Sequence, residues 1–87
     1  MAADNNDITV LLYPNPASDA AYLRLSGFKG EVIVTVTDMA GKVVWLQEKL
    51  TNSTYTLPLT NLARGMYIVT IRDKNSIRSL KLVKANN

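Results

Sequence analysis

The chain has 87 residues and a net charge of +3, enough for one domain that buries roughly 60–65% of the surface its unfolded form exposes, with little room for a deep cleft. It contains no cysteine and no histidine, which removes disulfides, thiolate and imidazole metal ligands, the thiol nucleophile and the usual general base near neutral pH. Its basic residues are spread along strand-like segments without interleaved stacking aromatics, which argues against nucleic acid, and no apolar run approaches the ~20 residues of a membrane helix, so no direct membrane insertion is expected.

Residues 1–7 are polar and lack a secretory h-region. They read as a flexible linker remnant ahead of a domain at residues 8–87, so an exported precursor must carry its signal upstream. Asp4, Asn5, Asn6 and Asp7 are rich in oxygen, yet the glycine and distal glutamate of a calcium loop are missing, and no metal is expected there.

From residue 8 onward, short β-branched and aromatic runs recur at nearly even spacing, each bounded by Gly, Pro, Asn, Asp or Ser. That rhythm predicts an all-β fold, a sandwich with strands at residues 8–13, 20–25, 31–38, 42–50, 54–57, 66–73 and 76–83. The first strand runs into Tyr13-Pro14-Asn15-Pro16. Neither proline has an amide to donate and each fixes its own φ, so the run marks a rigid corner between strands. Ser26-Gly27-Phe28-Lys29-Gly30 reads as a turn whose two glycines permit φ values closed to other residues.

In the third strand Val32, Val34 and Val36 alternate with Ile33, Thr35 and Thr37, and the valines are the inward set. Asp38-Met39-Ala40-Gly41-Lys42 follows as a hairpin turn, with Asp38 bonding forward to backbone amides and Gly41 at positive φ. Trp45 reads as a packing residue. Asn52-Ser53-Thr54 matches a glycosylation acceptor in form but reads as the turn before Tyr55.

In the sixth strand Tyr67, Val69 and Ile71 face inward, because Arg72 on the alternate set belongs in water. Gly65 reads as a backbone position needing positive φ or close approach, and the Tyr67 hydroxyl is expected to reach a backbone partner. Asp73-Lys74-Asn75-Ser76 joins the last two strands as an antiparallel pair. Leu80 and Leu82 face the core, with Lys81 and Val83 outward and Lys84 exposed at the end. Arg72, Lys74, Arg78, Lys81 and Lys84 against the single acid Asp73 predict a positive stripe, read as a solvated edge that discourages aggregation. Tyr13, Trp45, Tyr55 and Tyr67 all sit where burial is expected.

Catalysis fails on inventory. Asp19, Asp38 and Asp73 occupy turn positions with structural work, and a small sandwich offers no cleft for a carboxylate pair. The chain is read as no enzyme, with no catalytic, cofactor-binding or metal-binding residues.

Three stretches together are similar to a known family. Tyr13-Pro14-Asn15-Pro16-Ala17-Ser18-Asp19 resembles its opening Tyr-Pro-Asn-Pro followed by small residues and an acid. Val34 to Lys42 resembles its alternating strand, turn and Gly-Lys. Leu62-Ala63-Arg64-Gly65-Met66-Tyr67-Ile68-Val69 fits every fixed position of Leu-x-x-Gly-x-Tyr-x-Val, and Lys81-Leu82-Val83-Lys84 resembles the terminal basic-apolar strand. The family is that of the C-terminal sorting domains of cargo proteins exported by the type IX secretion system of Bacteroidetes-type bacteria. Ala85-Asn86-Asn87 departs from it by extending past the usual final lysine.

The resemblance implies an immunoglobulin-like, seven-stranded antiparallel sandwich that acts as an address rather than an activity. It implies passage through the periplasm, recognition by the outer-membrane type IX translocon, and arrival at the cell surface or in the medium. A surface sortase then removes the domain, with the cut within or before residues 2–7, and joins the cargo to an anionic lipopolysaccharide. Tyr13, Pro14, Asn15, Pro16, Gly65, Tyr67, Lys81, Leu82, Val83 and Lys84 are the candidate recognition residues, acting through an exposed edge or the basic stripe. An open sheet edge is also a route to a homodimer. Two other readings stand beside this one: a non-catalytic module of a secreted protein that binds carbohydrate or protein, and a structural spacer.

Overall fold

The computed structural model describes residues 8–85; the expected linker at residues 1–7 lies outside them, as do the last two residues. The described chain is all β: β1 (Thr9–Tyr13), β2 (Ala20–Ser26), β3 (Val32–Asp38), β4 (Val43–Leu50), β5 (Thr54–Pro58), β6 (Gly65–Arg72) and β7 (Ile77–Lys84). Each strand falls within one residue of its predicted run at either end.

The strands form two sheets, one ordered β1-β2-β5 and the other β4-β3-β6-β7. Every pairing within them is antiparallel, which is the immunoglobulin-like sandwich expected, with the fourth strand placed beside the third.

Period-two alternation builds the core from both sheets. Ala21, Leu23 and Leu25 of β2 and Leu57 of β5 face Val32, Val34 and Val36 of β3, Tyr67, Val69 and Ile71 of β6, and Leu82 of β7. Val10 and Leu12 of β1 and Leu80 of β7 pack on this core from its margin. The inward sets read for β3 and β6 are therefore the buried ones. At about 1.5–3 kcal/mol for each fully buried Val, Leu or Ile, this packing supplies the stability that disulfides would otherwise provide.

The turns behave as their side chains dictate. Asp38 Oδ1 accepts from the Ala40 and Lys42 amides at 2.9 Å each, and Gly41 takes φ +88°. Asp73 Oδ1 accepts from the Asn75 and Ser76 amides at 2.8 and 2.6 Å. Between β2 and β3, Gly27 has positive φ, whereas Gly30 is not among the positive-φ residues, so one glycine serves where two were expected. Phe28 of that loop is buried. The Asn52 amide fixes it by donating to the Phe28 carbonyl and accepting from its amide, at 2.9 and 3.1 Å.

Two register shifts interrupt the β3–β4 ladder, so Val44 and Trp45 both lean on the core as half-buried packing residues. Trp45 thus has the role read from the sequence.

Candidate functional site

The corner after β1 contains two cis peptide bonds, Tyr13–Pro14 and Asn15–Pro16, and it reaches the outer edge of β7. Neither proline can donate a backbone hydrogen bond, but the asparagine between them carries the same donor and acceptor pair as a peptide unit. Asn15 Nδ2 donates to the Lys81 carbonyl at 2.7 Å, and Asn15 Oδ1 accepts from the Val83 amide at 3.0 Å. Two residues on, the backbone takes over. The Ala17 amide donates to the Val83 carbonyl at 2.9 Å and the Ala85 amide donates to the Ala17 carbonyl at 2.7 Å, a parallel bridge between Ala17 and Lys84. The outer edge of β7 is thereby occupied from Lys81 to Ala85, and this stretch is not an open template for another strand.

The inner edge of the same stretch pairs with the start of β6, in the register Gly65 to Lys84, Met66 to Val83 and Tyr67 to Leu82. Gly65 has φ +149°, and a Cβ built there would meet nothing within 4 Å. Backbone conformation, not space, is what calls for glycine. The Tyr67 hydroxyl donates to the Ala63 carbonyl four residues upstream, the tyrosine-corner arrangement of immunoglobulin-like sandwiches.

The fold therefore draws three stretches that are far apart in sequence to one end of the sandwich: Pro14 to Ala17, Gly65 to Tyr67, and Lys81 to Lys84. Of their side chains, Leu82 and Tyr67 are in the core, Gly65 and Val83 are half-buried, and Tyr13, Pro14, Asn15, Pro16 and Lys81 are exposed.

Two sequence expectations are corrected here. Lys84 was expected to be exposed, but it retains only 2% of its accessible surface. Alternation continues past Leu80 and Leu82, so position 84 belongs to the inward row, and Ala17 closes over it. Its aliphatic stem suits that position. Tyr13, expected buried, is 45% exposed, because β1 turns Val10 and Leu12 inward and Thr9, Leu11 and Tyr13 outward.

The same parity breaks up the basic stripe. Arg72 and Lys81 point out from the four-stranded sheet, whereas Arg78 and Lys84 share the parity of Leu80 and Leu82. The Arg78 guanidinium donates to the Ile77 carbonyl at 3.1 Å.

Two participants went unnoticed in the sequence. Ala17, read only as a small residue of the motif, is buried and carries both backbone bonds to β7. Tyr22 stands directly opposite Tyr13 in the β1–β2 ladder. The signal for Tyr22 was present in the alternation of β2, where Tyr22, Arg24 and Ser26 oppose the buried Ala21, Leu23 and Leu25.

Among the described residues no group of three or more metal-ligating side chains converges. A shallow surface depression lies at the other end of the sandwich, between Lys29, Gly30 and Glu31 and the Asp73 to Asn75 turn.

Residues 11–85 match the model of a family described as the secretion system C-terminal sorting domain. No curated protein matches the chain.

Proposed function

Because the chain belongs to the secretion system C-terminal sorting domain family, whose domain is the type IX secretion signal, we propose that it delivers a folded address at the cargo's C-terminal end. The sorting signal directs attached cargo through the type IX machinery to the cell surface or the medium. On this reading the precursor crosses the periplasm with the domain already folded. The outer-membrane translocon binds it as a rigid sandwich, and a surface sortase then cuts within or before residues 2–7. Residues 1–7 serve as the linker to the cargo, and residues 8–87 as the sorting domain.

The observation that carries this reading is the extent of the family match, which runs from Leu11 within β1 to Ala85, past the end of β7. The ten candidate residues then divide by task. Asn15, Gly65, Tyr67, Leu82, Val83 and Lys84 hold the corner, β6 and β7 together, while the exposed side chains of Tyr13, Pro14, Pro16 and Lys81 face solvent, where a partner can meet them. An open-edge homodimer would use β1, β4, β5 or the first half of β7, because the corner occupies the outer edge of β7 only from Lys81 to Ala85.

A reporter carrying an inner-membrane export signal and residues 1–87 tests the proposal in a bacterium that has the secretion system. The reporter is expected at the surface or in the medium. Retention in the periplasm with the domain shown to be folded would sink it.

A further inference from the structure

The four tyrosines fall into two pairs of opposite character. Tyr67 and Tyr55 each turn the hydroxyl back on the backbone four residues upstream, to Ala63 and Thr51, and both rings serve the fold. Tyr13 and Tyr22 are 45% and 42% exposed, with ring centroids 5.8 Å apart and planes inclined by 40°. Among the described residues neither hydroxyl has a hydrogen-bond partner.

Their surroundings are consistent across the face. The ladder places Leu11 opposite Arg24, Tyr22 opposite Thr56, and Arg24 opposite Thr54, all exposed on the outer side of the three-stranded sheet. Aromatic rings, an aliphatic side chain, a guanidinium and two threonine hydroxyls share this side, and its outward strand positions carry no carboxylate. Tyrosine and arginine are the residues that most often anchor protein interfaces. Tyrosine presents a large, rigid contact area with a polar tip at little cost in ordering, and arginine adds a planar fork of donors. The outer face of the other sheet also exposes apolar side chains, Val43, Leu46, Met66 and Ile77, around the half-buried Thr35, Ile68 and Thr70, but its outward strand positions carry no aromatic ring. Of the Tyr13 to Pro16 side chains only Asn15 is bonded to β7, and Tyr13 is the aromatic one left to solvent beside the locked corner.

We propose that the outer face of the three-stranded sheet, centred on Tyr13 and Tyr22 with Leu11 and Arg24 beside them, is the surface through which a protein of the secretion machinery holds this domain. The proposal rests on the sorting reading above. The partner presents an apolar pocket for the two rings and a carboxylate for Arg24, since the face supplies a cation and no acid of its own.

The test uses the reporter fused to residues 1–87. In the Tyr13→Ser, Tyr22→Ser double variant, surface-located reporter is expected to fall about tenfold or more, the change expected on losing one interface anchor. Arg24→Glu, which leaves the ring pair intact, is expected to lower it several-fold. Ile77→Ser, exposed on the other sheet's outer face opposite Arg72 and away from the corner, is expected to leave export unchanged. Far-UV spectra and protease resistance of the purified domains check that each variant is folded, and Arg24→Glu serves even if the double variant is not.

A photo-crosslinker at Thr56, beside Tyr22, should form an adduct with a discrete envelope protein, and the adduct should disappear in the folded double variant. Wild-type export by the folded double variant overturns the proposal, as does an equal loss in Ile77→Ser. A crosslinked ladder of polysaccharide instead of a protein would assign the face to a sugar and also overturn it. Failure of the wild-type domain to export the reporter would defeat the sorting reading itself, and this proposal with it.

Discussion

The end of the sandwich where the corner meets β7 and the outer face around Tyr13 and Tyr22 adjoin each other, yet they use the same residue types in opposite ways. At the corner, Asn15 is spent on two backbone bonds to β7, and Tyr67 faces inward with its hydroxyl bonded to Ala63. On the face, Tyr13 and Tyr22 touch each other and solvent. The difference teaches that a recurring motif is not one signal. Much of Tyr13 to Pro16, Gly65 to Tyr67 and Lys81 to Lys84 holds the fold together, and only the part without internal bonds is left for a partner to read.

The contrast is sharpest in the core row of β7. Leu82→Ala should destabilise the domain by about 2–5 kcal/mol, through lost burial and a residual cavity between the sheets. Chemical denaturation checks it, and a loss below about 1 kcal/mol would mean that the β6–β7 end is looser than its burial indicates.

Lysines three residues apart on the same strand should differ next most. Lys84→Glu sets a carboxylate in the inward row under Ala17 and is expected to cost about 2 kcal/mol or more. Lys81→Glu, on the exposed row, should change stability by less than about 0.5 kcal/mol. Equal unfolding midpoints for the two variants would break the parity assignment that separates them.

Tyrosine hydroxyls give a finer comparison. Tyr67→Phe removes the bond to Ala63 and should cost about 0.5–1.5 kcal/mol, while Tyr22→Phe should leave the thermal midpoint unchanged. A matching loss at Tyr22 would show that the exposed pair also serves the fold.

Asn15→Ala should have an effect of about 1 kcal/mol, because both of its bonds are at an exposed edge where water replaces part of what is lost. Its more telling readout is hydrogen exchange. The Val83 amide should exchange faster, while amides in the centre of β3 keep their protection. Unchanged exchange at Val83 would mean that Ala17 alone holds the edge.

Much of this molecule was legible in the sequence because its signals are local. Alternation in β2, β3 and β6 follows from the geometry of a strand, which sends successive side chains to opposite faces. Asp38, Gly41 and Asp73 announce turns by what their own side chains and backbones can do. The Tyr67 hydroxyl could be expected to find a backbone partner because a buried phenol must satisfy it. Strand positions, the inward valines and the packing role of Trp45 were therefore available before any tertiary structure.

What only the tertiary structure decided is everything that depends on which strand lies beside which. A lysine at the end of a basic-apolar run looks exposed until the β6–β7 register and the Ala17 bridge place it under cover. β1 is apolar on both faces, with Val10 and Leu12 on one and Leu11 and Tyr13 on the other, so its alternation carries no preference. Packing against the second sheet makes the choice and leaves Tyr13 outside beside Tyr22. The asparagine between two prolines gains its role from an edge more than sixty residues further along the chain. Local chemistry sets what each residue can do, and the pairing of distant strands, driven by burial of both sheets' apolar faces, selects what it does.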